Sequence, residues 1–281
     1  MSDPRSKAAV LVEALPYIRR FWAKVVVVKY GGSAMGDDLT CFAEDIVLMR
    51  SVGMRPVVVH GGGPQIGALL KRLGIESEFR NGLRVTDADT LDVARMVLVG
   101  KVNRDIVSAI NVHAPIAVGM SGEDASLLVA SAKDPELGFV GDVDAVNTEL
   151  LVRLLAEELI PVVATIGSSD RGQAYNINAD TAAGAIASAL RAERLVYLTD
   201  VEGLRADPAD ASSLISTIGA AELEAELGGT SITEGMIPKV RSCIDAVKAG
   251  VGSAHILDGR VPHALLLEFF TPEGVGTMVT P

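Results

Sequence analysis

A chain of 281 residues with 49% apolar residues, 22% charged residues and 28 glycines has the balance of a globular protein rich in tight turns. A net charge of −11 makes it a poor general ligand for nucleic acid or an anionic membrane, which both reward clustered Lys and Arg. The two cysteines, Cys41 and Cys243, show neither metal-ligand spacing nor a disulfide framework, and no signal peptide or membrane-length apolar run is visible, so a cytoplasmic location is expected.

Leu11, Leu15, Ile18 and Trp22 recur at helical spacing, so the first segment reads as an amphipathic helix outside the main fold, with Pro16 kinking it or starting a new turn. Alternation of strand and helix then begins. Residues 25–29 form a continuous β-branched run, as in a strand buried on both faces, and a helix is expected over 39–51. A second such strand spans 56–60, and a helix with Pro64 in its first turn follows over 64–73. Residues 81–87 read as a loop between helices, and 88–111 as one helical stretch. Residues 116–118 and 160–164 read as strands, 127–130 and 139–146 as an antiparallel hairpin, and 148–158 and 179–190 as helices. A second unit follows, with strands over 195–199 and 254–257, helices over 220–227 and 237–249, and a tail at 277–279 able to close the sheet. This order predicts an α/β fold with a mainly parallel sheet, two lobes and a site between them.

Two glycine-rich turns, KYGGS at 29–33 and HGGGP at 60–64, each follow a buried strand. Glycine lets backbone N–H groups approach an anion, and a following helix N-terminus favours one. Neither turn is the nucleotide-binding P-loop, and Ile66 stands where a dinucleotide fingerprint needs its third glycine, which argues against an oxidoreductase. Arg84 in NGLRVTD offers a bidentate fork for a carboxylate. In YNINADT, Asn176 and Asn178 face the same side of an extended approach, and Asp180 lies in a first helical turn that its charge alone could explain. Lys239 sits near a helix start, where the dipole opposes a cation; such local conflict often marks a functional group.

Taken together, KYGGS, VVHGGGPQI, NGLRVTD, GMSGEDASL, GFVGDV, YNINADTAAGAIA, LTDVEGL and TEGMIPKV, in that order, resemble the amino acid kinase family from about Val25 to the C-terminus. The resemblance implies a three-layer αβα sandwich. It implies transfer of the γ-phosphoryl group of ATP, carried with Mg2+, to the side-chain carboxylate of an acyl amino acid, N-acetyl-L-glutamate, in arginine biosynthesis. Aspartate or carrier-bound aminoadipate as acceptor, and a non-catalytic amino acid sensor, are the alternatives.

The same resemblance implies that Lys29 and Lys239 stabilise the transferring phosphoryl group and that Asp180 holds both lysines. Gly62, Gly63, Arg84, Asn176 and Asn178 would bind the acyl amino acid. Gly31 and Gly32, the stretch Asp200, Val201, Glu202, Gly203, Leu204 and Arg205, and Ser231, Ile232, Thr233 and Met236 would bind ATP. It further implies a helical extension over 1–24, a substrate-binding and dimerising lobe over 25–192, and an ATP lobe over 193–281. Inhibition by L-arginine through Tyr17, His255, Glu268 and Gly274 is expected, in a homo-oligomer that is a hexamer built as a trimer of dimers.

Overall fold

The computed structural model describes residues 4–31, 39–80, 82–207, 210–227, 236–272 and 274–281. Its first half runs α1 (Pro4–Phe21), β1 (Val25–Tyr30), α2 (Thr40–Ser51), β2 (Arg55–His60), α3 (Gly63–Leu73), β3 (Phe79–Arg80), β4 (Leu83–Arg84), α4 (Ala88–Arg95), α5 (Asn103–His113) and β5 (Ala117–Ser121). There follow β6 (Leu128–Ala132), β7 (Val140–Val146), α6 (Glu149–Ala156), β8 (Ile160–Ala164), β9 (Ile166–Ser168), β10 (Ala174–Ile177) and α7 (Ala179–Ala189). The last part comprises β11 (Arg194–Thr199), β12 (Thr217–Gly219), α8 (Ala220–Glu226), α9 (Ile237–Lys248), β13 (Ala254–Asp258), α10 (Ala264–Phe270) and β14 (Thr277–Thr280).

Eight strands make one sheet in the order β12-β14-β13-β11-β1-β2-β8-β5. All its pairs are parallel except β13 with β14. The chain begins this sheet at its centre and builds outward in both directions, so the order of connections reverses at β1. Such a reversal leaves a crevice outside the carboxyl ends of the strands, the usual ligand position in open α/β sheets.

The alternation of side chains along β1 explains the three layers. Val26 and Val28 join one buried cluster with Phe42, Ile46 and Ile106, from α2 and α5. Val27 joins the other with Ile186, Val240 and Ile244, from α7 and α9. The sheet is therefore apolar on both faces and covered by helices on both. Lys29 shares the parity of Val27, so β1 aims it toward α7 and α9.

A smaller four-stranded barrel, in the order β10-β7-β6-β9, is appended to the main sheet. The short β3–β4 hairpin is joined to it just beyond β4, where Thr86 bridges Gly138. Gly138 has φ of 67°, and a Cβ there would collide with the Thr86 carbonyl oxygen, so this contact requires glycine.

Several expectations change. Residues 81–87 are not a plain loop, because Leu83 and Arg84 pair antiparallel with Arg80 and Phe79. Residues 88–111 are not a single regular helix, since α4 and α5 are joined by a π-helical turn, Met96–Val102. Helix α1 continues through Pro16 rather than restarting there. The tail joins the sheet as β14, one strand in from the edge, between β13 and β12.

Candidate active site

The first glycine turn follows from β1. Lys29 is 8% exposed, and a side chain on Gly31 would crowd the backbone nitrogen of Gly61, 3.3 Å from its Cβ. The two glycine-rich turns therefore lie against each other. Gly62 precedes α3, and a Cβ there would come within 2.8 Å of Leu98 in the π-helical turn. A Cβ on Gly63 would meet nothing within 4 Å, and Gly63 lines a cavity of about 200 Å³. Lys29, Gly62, Gly63, Arg84, Asn176 and Asn178 all border this cavity.

Asp180 is fixed from several directions. The side-chain oxygen of Asn178 accepts from the backbone N–H groups of Asp180 and Thr181 at 2.9 and 3.1 Å, capping α7. The carbonyl oxygen of Asp180 accepts from Ser242 at 2.9 Å and Tyr197 at 3.2 Å. A Cβ on Gly184 would collide with Ser242, so α7 and α9 pack at close range. This places Asp180 between the two lysines: Lys29 Nζ lies 2.9 Å from Oδ1, and Lys239 Nζ lies 3.0 Å from Oδ2. Burial would raise the Asp180 carboxyl above its ordinary range, but the two ammonium groups prevail and hold it down at about 2. Burial, against the pull of Asp180, lowers Lys29 from its usual value. The local conflict at Lys239 resolves in this pair, since its side chain is buried and committed to Asp180 instead of extending into solvent.

Within this contact set the two cations outnumber the one carboxylate, and Asp200 acts on Lys29 from outside it. An anion entering the cavity would meet Lys29 together with the backbone of the second glycine turn. In a water-poor site such fixed charges interact more strongly than in bulk solvent.

Arg84 stands at the cavity rim. Its guanidinium donates to the Gly63 carbonyl at 2.9 Å and to Ser77 Oγ, and lies 4.6 Å from the Phe79 ring centroid. Two of its five N–H groups are thereby engaged, which holds the fork in place. Asn176 Nδ2 donates to Thr86 Oγ1 at 3.4 Å. Asn178, read from sequence as ligand-facing, both borders the cavity and spends its oxygen as the α7 cap.

Among the expected nucleotide residues, Asp200 lies near enough to Lys29 to act on its charge. Leu204 is buried in the core, Arg205 pairs with Glu202 at 2.9 Å, and the backbone N–H of Leu204 donates to Thr277 at 2.8 Å. Val201 and Met236 pack beside the core on the α7–α9 face. Asp200 follows the carboxyl end of β11, the strand that pairs with β1, and Gly203 lies three residues further on. Gly32, Ser231, Ile232 and Thr233 lie outside the described residues. A larger cavity, about 800 Å³, opens between the β6–β7 hairpin, α7 and α9, but neither Lys29 nor Arg84 reaches it. Lys29 and Arg84 both line the smaller one.

The four expected arginine contacts divide. His255, Glu268 and Gly274 converge: His255 Nδ1 is 2.7 Å from Glu268 Oε1, and a Cβ on Gly274 would sit 2.9 Å from Glu268 Oε2. Tyr17 lies on α1, which meets α10 through Phe21 and Phe269, whose ring centroids are 5.2 Å apart.

Sequence reasoning passed over three supports. Asn103 reaches beneath the second glycine turn to His60 Nε2 at 3.0 Å. Ser242 and Tyr197 hold the Asp180 backbone. Ser242 lies three residues after Lys239 and so shares its helix face, a spacing visible in the sequence. For Asn103 and Tyr197 only the tertiary fold supplies the signal.

The chain matches the amino acid kinase family over residues 24–258, and it belongs to that family. Among its relatives, the acetylglutamate kinase of Symbiobacterium thermophilum is 55% identical, with 97% of each chain covered. The acetylglutamate kinase of Saccharopolyspora erythraea is 54% identical over all of this chain and 95% of its own length. Among solved structures, an N-acetylglutamate synthase from Neisseria gonorrhoeae, complexed with coenzyme A and N-acetyl-glutamate, superposes with a TM-score of 0.86 at 28% identity. That alignment covers 98% of this chain but 63% of the synthase. Carbamate kinase from Giardia lamblia, at a TM-score of 0.67, 17% identity and 92% and 98% coverage, shares the fold.

Proposed function

We propose that this chain phosphorylates the γ-carboxylate of N-acetyl-L-glutamate with ATP, giving N-acetyl-L-glutamyl 5-phosphate and ADP, a step toward arginine. The observation that carries this reading is the Lys29–Asp180–Lys239 bridge at the carboxyl end of β1, with its two ammonium groups on one carboxylate. The names of relatives at 55% and 54% identity supply the substrate.

Phosphoryl transfer needs alignment and charge neutralisation rather than a covalent protein group. A carboxylate oxygen of the acceptor attacks the γ-phosphorus. The bond from that phosphorus to the β–γ bridging oxygen breaks, and its electron pair leaves on ADP. The acceptor is already ionised at neutral pH, so no general base is needed. Lys29 and Lys239 neutralise charge on the phosphoryl oxygens, and Asp180 keeps the two ammonium groups from drifting apart. Backbone N–H groups of Gly31, Gly62 and Gly63 face the phosphates and the acceptor. The divalent cation, Mg2+, rides on the nucleotide phosphates. Arg84 grips the α-carboxylate and Asn176 the acetylamino group. Residues 25–192 act as the acceptor lobe and 193–281 as the nucleotide lobe, with 200–205, 231–233 and Met236 around ATP.

The test is ATP-dependent acyl-phosphate formation trapped with hydroxylamine, comparing N-acetyl-L-glutamate with L-glutamate, L-aspartate and aminoadipate. Turnover on N-acetyl-L-glutamate alone is expected, and turnover on another acid in preference would overturn the substrate. Arg84→Ala should raise KM for the acyl amino acid at least tenfold and leave KM for ATP within twofold. Equal effects on both would move Arg84 out of the acceptor subsite.

Inhibition by L-arginine in a cytoplasmic hexamer is a further part of the reading. It is favoured by the chain's own Arg194, whose guanidinium lies 4.0 Å from Glu268 and 4.5 and 5.0 Å from the rings of Phe21 and Phe269. That pocket already suits a guanidinium. Helix α1 also exposes Val10, Leu11, Val12 and Leu15, an apolar stretch able to interlace with another dimer. A dimeric native mass with no response to arginine would remove this part and leave the kinase intact.

A further inference from the structure

We propose that Cys41, Glu44 and His263 form a binding site for a thiophilic divalent cation of the Zn2+ class, made of residues distinct from the lysine–aspartate centre. The sulfur of Cys41, a carboxylate oxygen of Glu44 and a ring nitrogen of His263 all lie within 4.8 Å of one another. His263 Nε2 stands 3.9 Å from Glu44 Oε2. A tetrahedral ion with bonds of about 2.0–2.3 Å holds its ligand atoms about 3.3–3.8 Å apart. Glu44 is exposed, so rotation of its side chain closes the set around an ion.

The arrangement has the supports of a built site. Cys41 and Glu44 are three residues apart near the start of α2, so they share one face of the helix. His263 comes from the far end of the chain, at the N-terminus of α10. Its Nδ1 lies 2.6 Å from Asp45 Oδ1, a carboxylate 3% exposed. Donation of Nδ1–H to Asp45 fixes the tautomer and leaves the Nε2 lone pair for the ion, the usual carboxylate support of a metal-ligating histidine. His263 is also held at φ 57° and ψ 32°, a left-handed conformation that is costly for a residue with a Cβ.

The ligand chemistry selects the ion. A thiolate and an imidazole favour Zn2+ and its borderline relatives over Mg2+ and Ca2+, which prefer oxygen. The ion that accompanies ATP is therefore not the occupant. Three protein ligands leave one position for solvent. Because α2 and α10 lie far apart in sequence, an ion here would pin two distant parts of the chain together and stabilise the fold by mass action.

The experiment uses full-length protein stripped with a chelator and then titrated with Zn2+ against a chromogenic competitor. Co2+ serves as a spectroscopic substitute, and thermal unfolding is followed throughout. Wild type should bind one equivalent of Zn2+, show a thiolate-to-Co2+ charge-transfer band and gain Tm on addition of Zn2+. Cys41→Ser should abolish the band and weaken Zn2+ at least tenfold. Glu44→Gln, at an exposed position, should weaken it less. Unchanged kinase turnover and an unchanged metal-free Tm in Glu44→Gln separate lost ligation from lost folding. Absence of stoichiometric binding in wild type, or equal affinity in Cys41→Ser and His263→Gln, would overturn the proposal and leave Asp45–His263 as a bolt between α2 and α10.

Discussion

The Lys29–Asp180–Lys239 centre and the Arg194–Glu268–His255 cluster are both made of buried ionisable side chains, yet they draw on opposite ends of neighbouring parallel strands. Lys29 is near the carboxyl end of β1; Arg194 begins β11, and His255 is the second residue of β13. The first cluster sets two cations against one carboxylate. The second is closed: Glu268 accepts from the Val275 N–H at 3.0 Å, meets His255 at 2.7 Å and faces Arg194. Burial lowers His255 from its ordinary value, so the ring stays neutral and the charges of Arg194 and Glu268 balance. The first cluster lacks a full counter-charge among its own contacts, whereas Glu268 of the second has Arg194, a guanidinium that a free arginine would have to displace. Open α/β sheets place their ligand sites at the carboxyl ends of their strands.

The largest expected effect tests the open cluster. Lys239→Met should lower kcat about 30- to 1000-fold, the equivalent of about 2–4 kcal/mol of transition-state stabilisation. Its Tm should hold or rise, because Lys29 and Asp180 then balance; stability and function oppose each other at such sites. A fall in Tm with kcat intact would erase the contrast. The closed cluster should respond the other way. Glu268→Ala strands a guanidinium that is 9% exposed, costing about 3 kcal/mol in denaturant unfolding while kcat per folded molecule is kept. Adding Arg194→Met to it should recover part of that loss, a coupling that a double-mutant cycle reads directly.

A third prediction concerns the support beneath the second glycine turn. His60 Nδ1–H donates to the Gly61 carbonyl at 2.9 Å, and Nε2 accepts from Asn103 at 3.0 Å. Both nitrogens are satisfied only in the neutral ring, and burial lowers His60 to about 4. The unfolded chain, titrating near 6.5, binds this proton first. Stability should therefore fall as pH drops from about 6.5 to 4 and level off below. The loss at pH 5 is about 2 kcal/mol. His60→Gln should flatten this part of the profile; an unchanged slope would place the acid sensitivity elsewhere.

Long apolar strands were the most legible part of the sequence. Residues 25–29, 56–60 and 160–164 are buried on both faces and need no partner to be recognised. The three-residue strands β9 and β12 are too short to show a period. The β3–β4 hairpin pairs two residues with two, below any sequence signal. The π-helical turn brings Leu98 and Val102 against Gly62, a contact distant in sequence that no local pattern reports. At the site, Lys29, Asp180 and Lys239 stood out through motif and local conflict. Their common meeting point came from the family resemblance and not from the residue pattern, because it depends on α7 and α9 packing through Gly184 and Ser242. Arg194 gave no signal, since a cation opening a strand looks like an ordinary surface residue until Phe21 and Phe269 close over it.

The smallest expected effect separates positioning from contact at Asn178, which belongs to both roles by location. As the α7 cap it holds the turn that carries Asp180; as a wall of the cavity its amide could meet the acyl amino acid. Asn178→Ala removes both and should cost about 1 kcal/mol of stability with a modest loss of kcat. Asn178→Ser keeps a capping oxygen but loses the amide. Recovery of both stability and KM in the serine variant assigns Asn178 to the cap alone. Recovered stability with KM for the acyl amino acid still raised severalfold assigns the amide to the substrate. In that case Asn178 would do for the open cluster what Val275 does for the closed one: donate from a fixed position to a carboxylate, here one that arrives from solution.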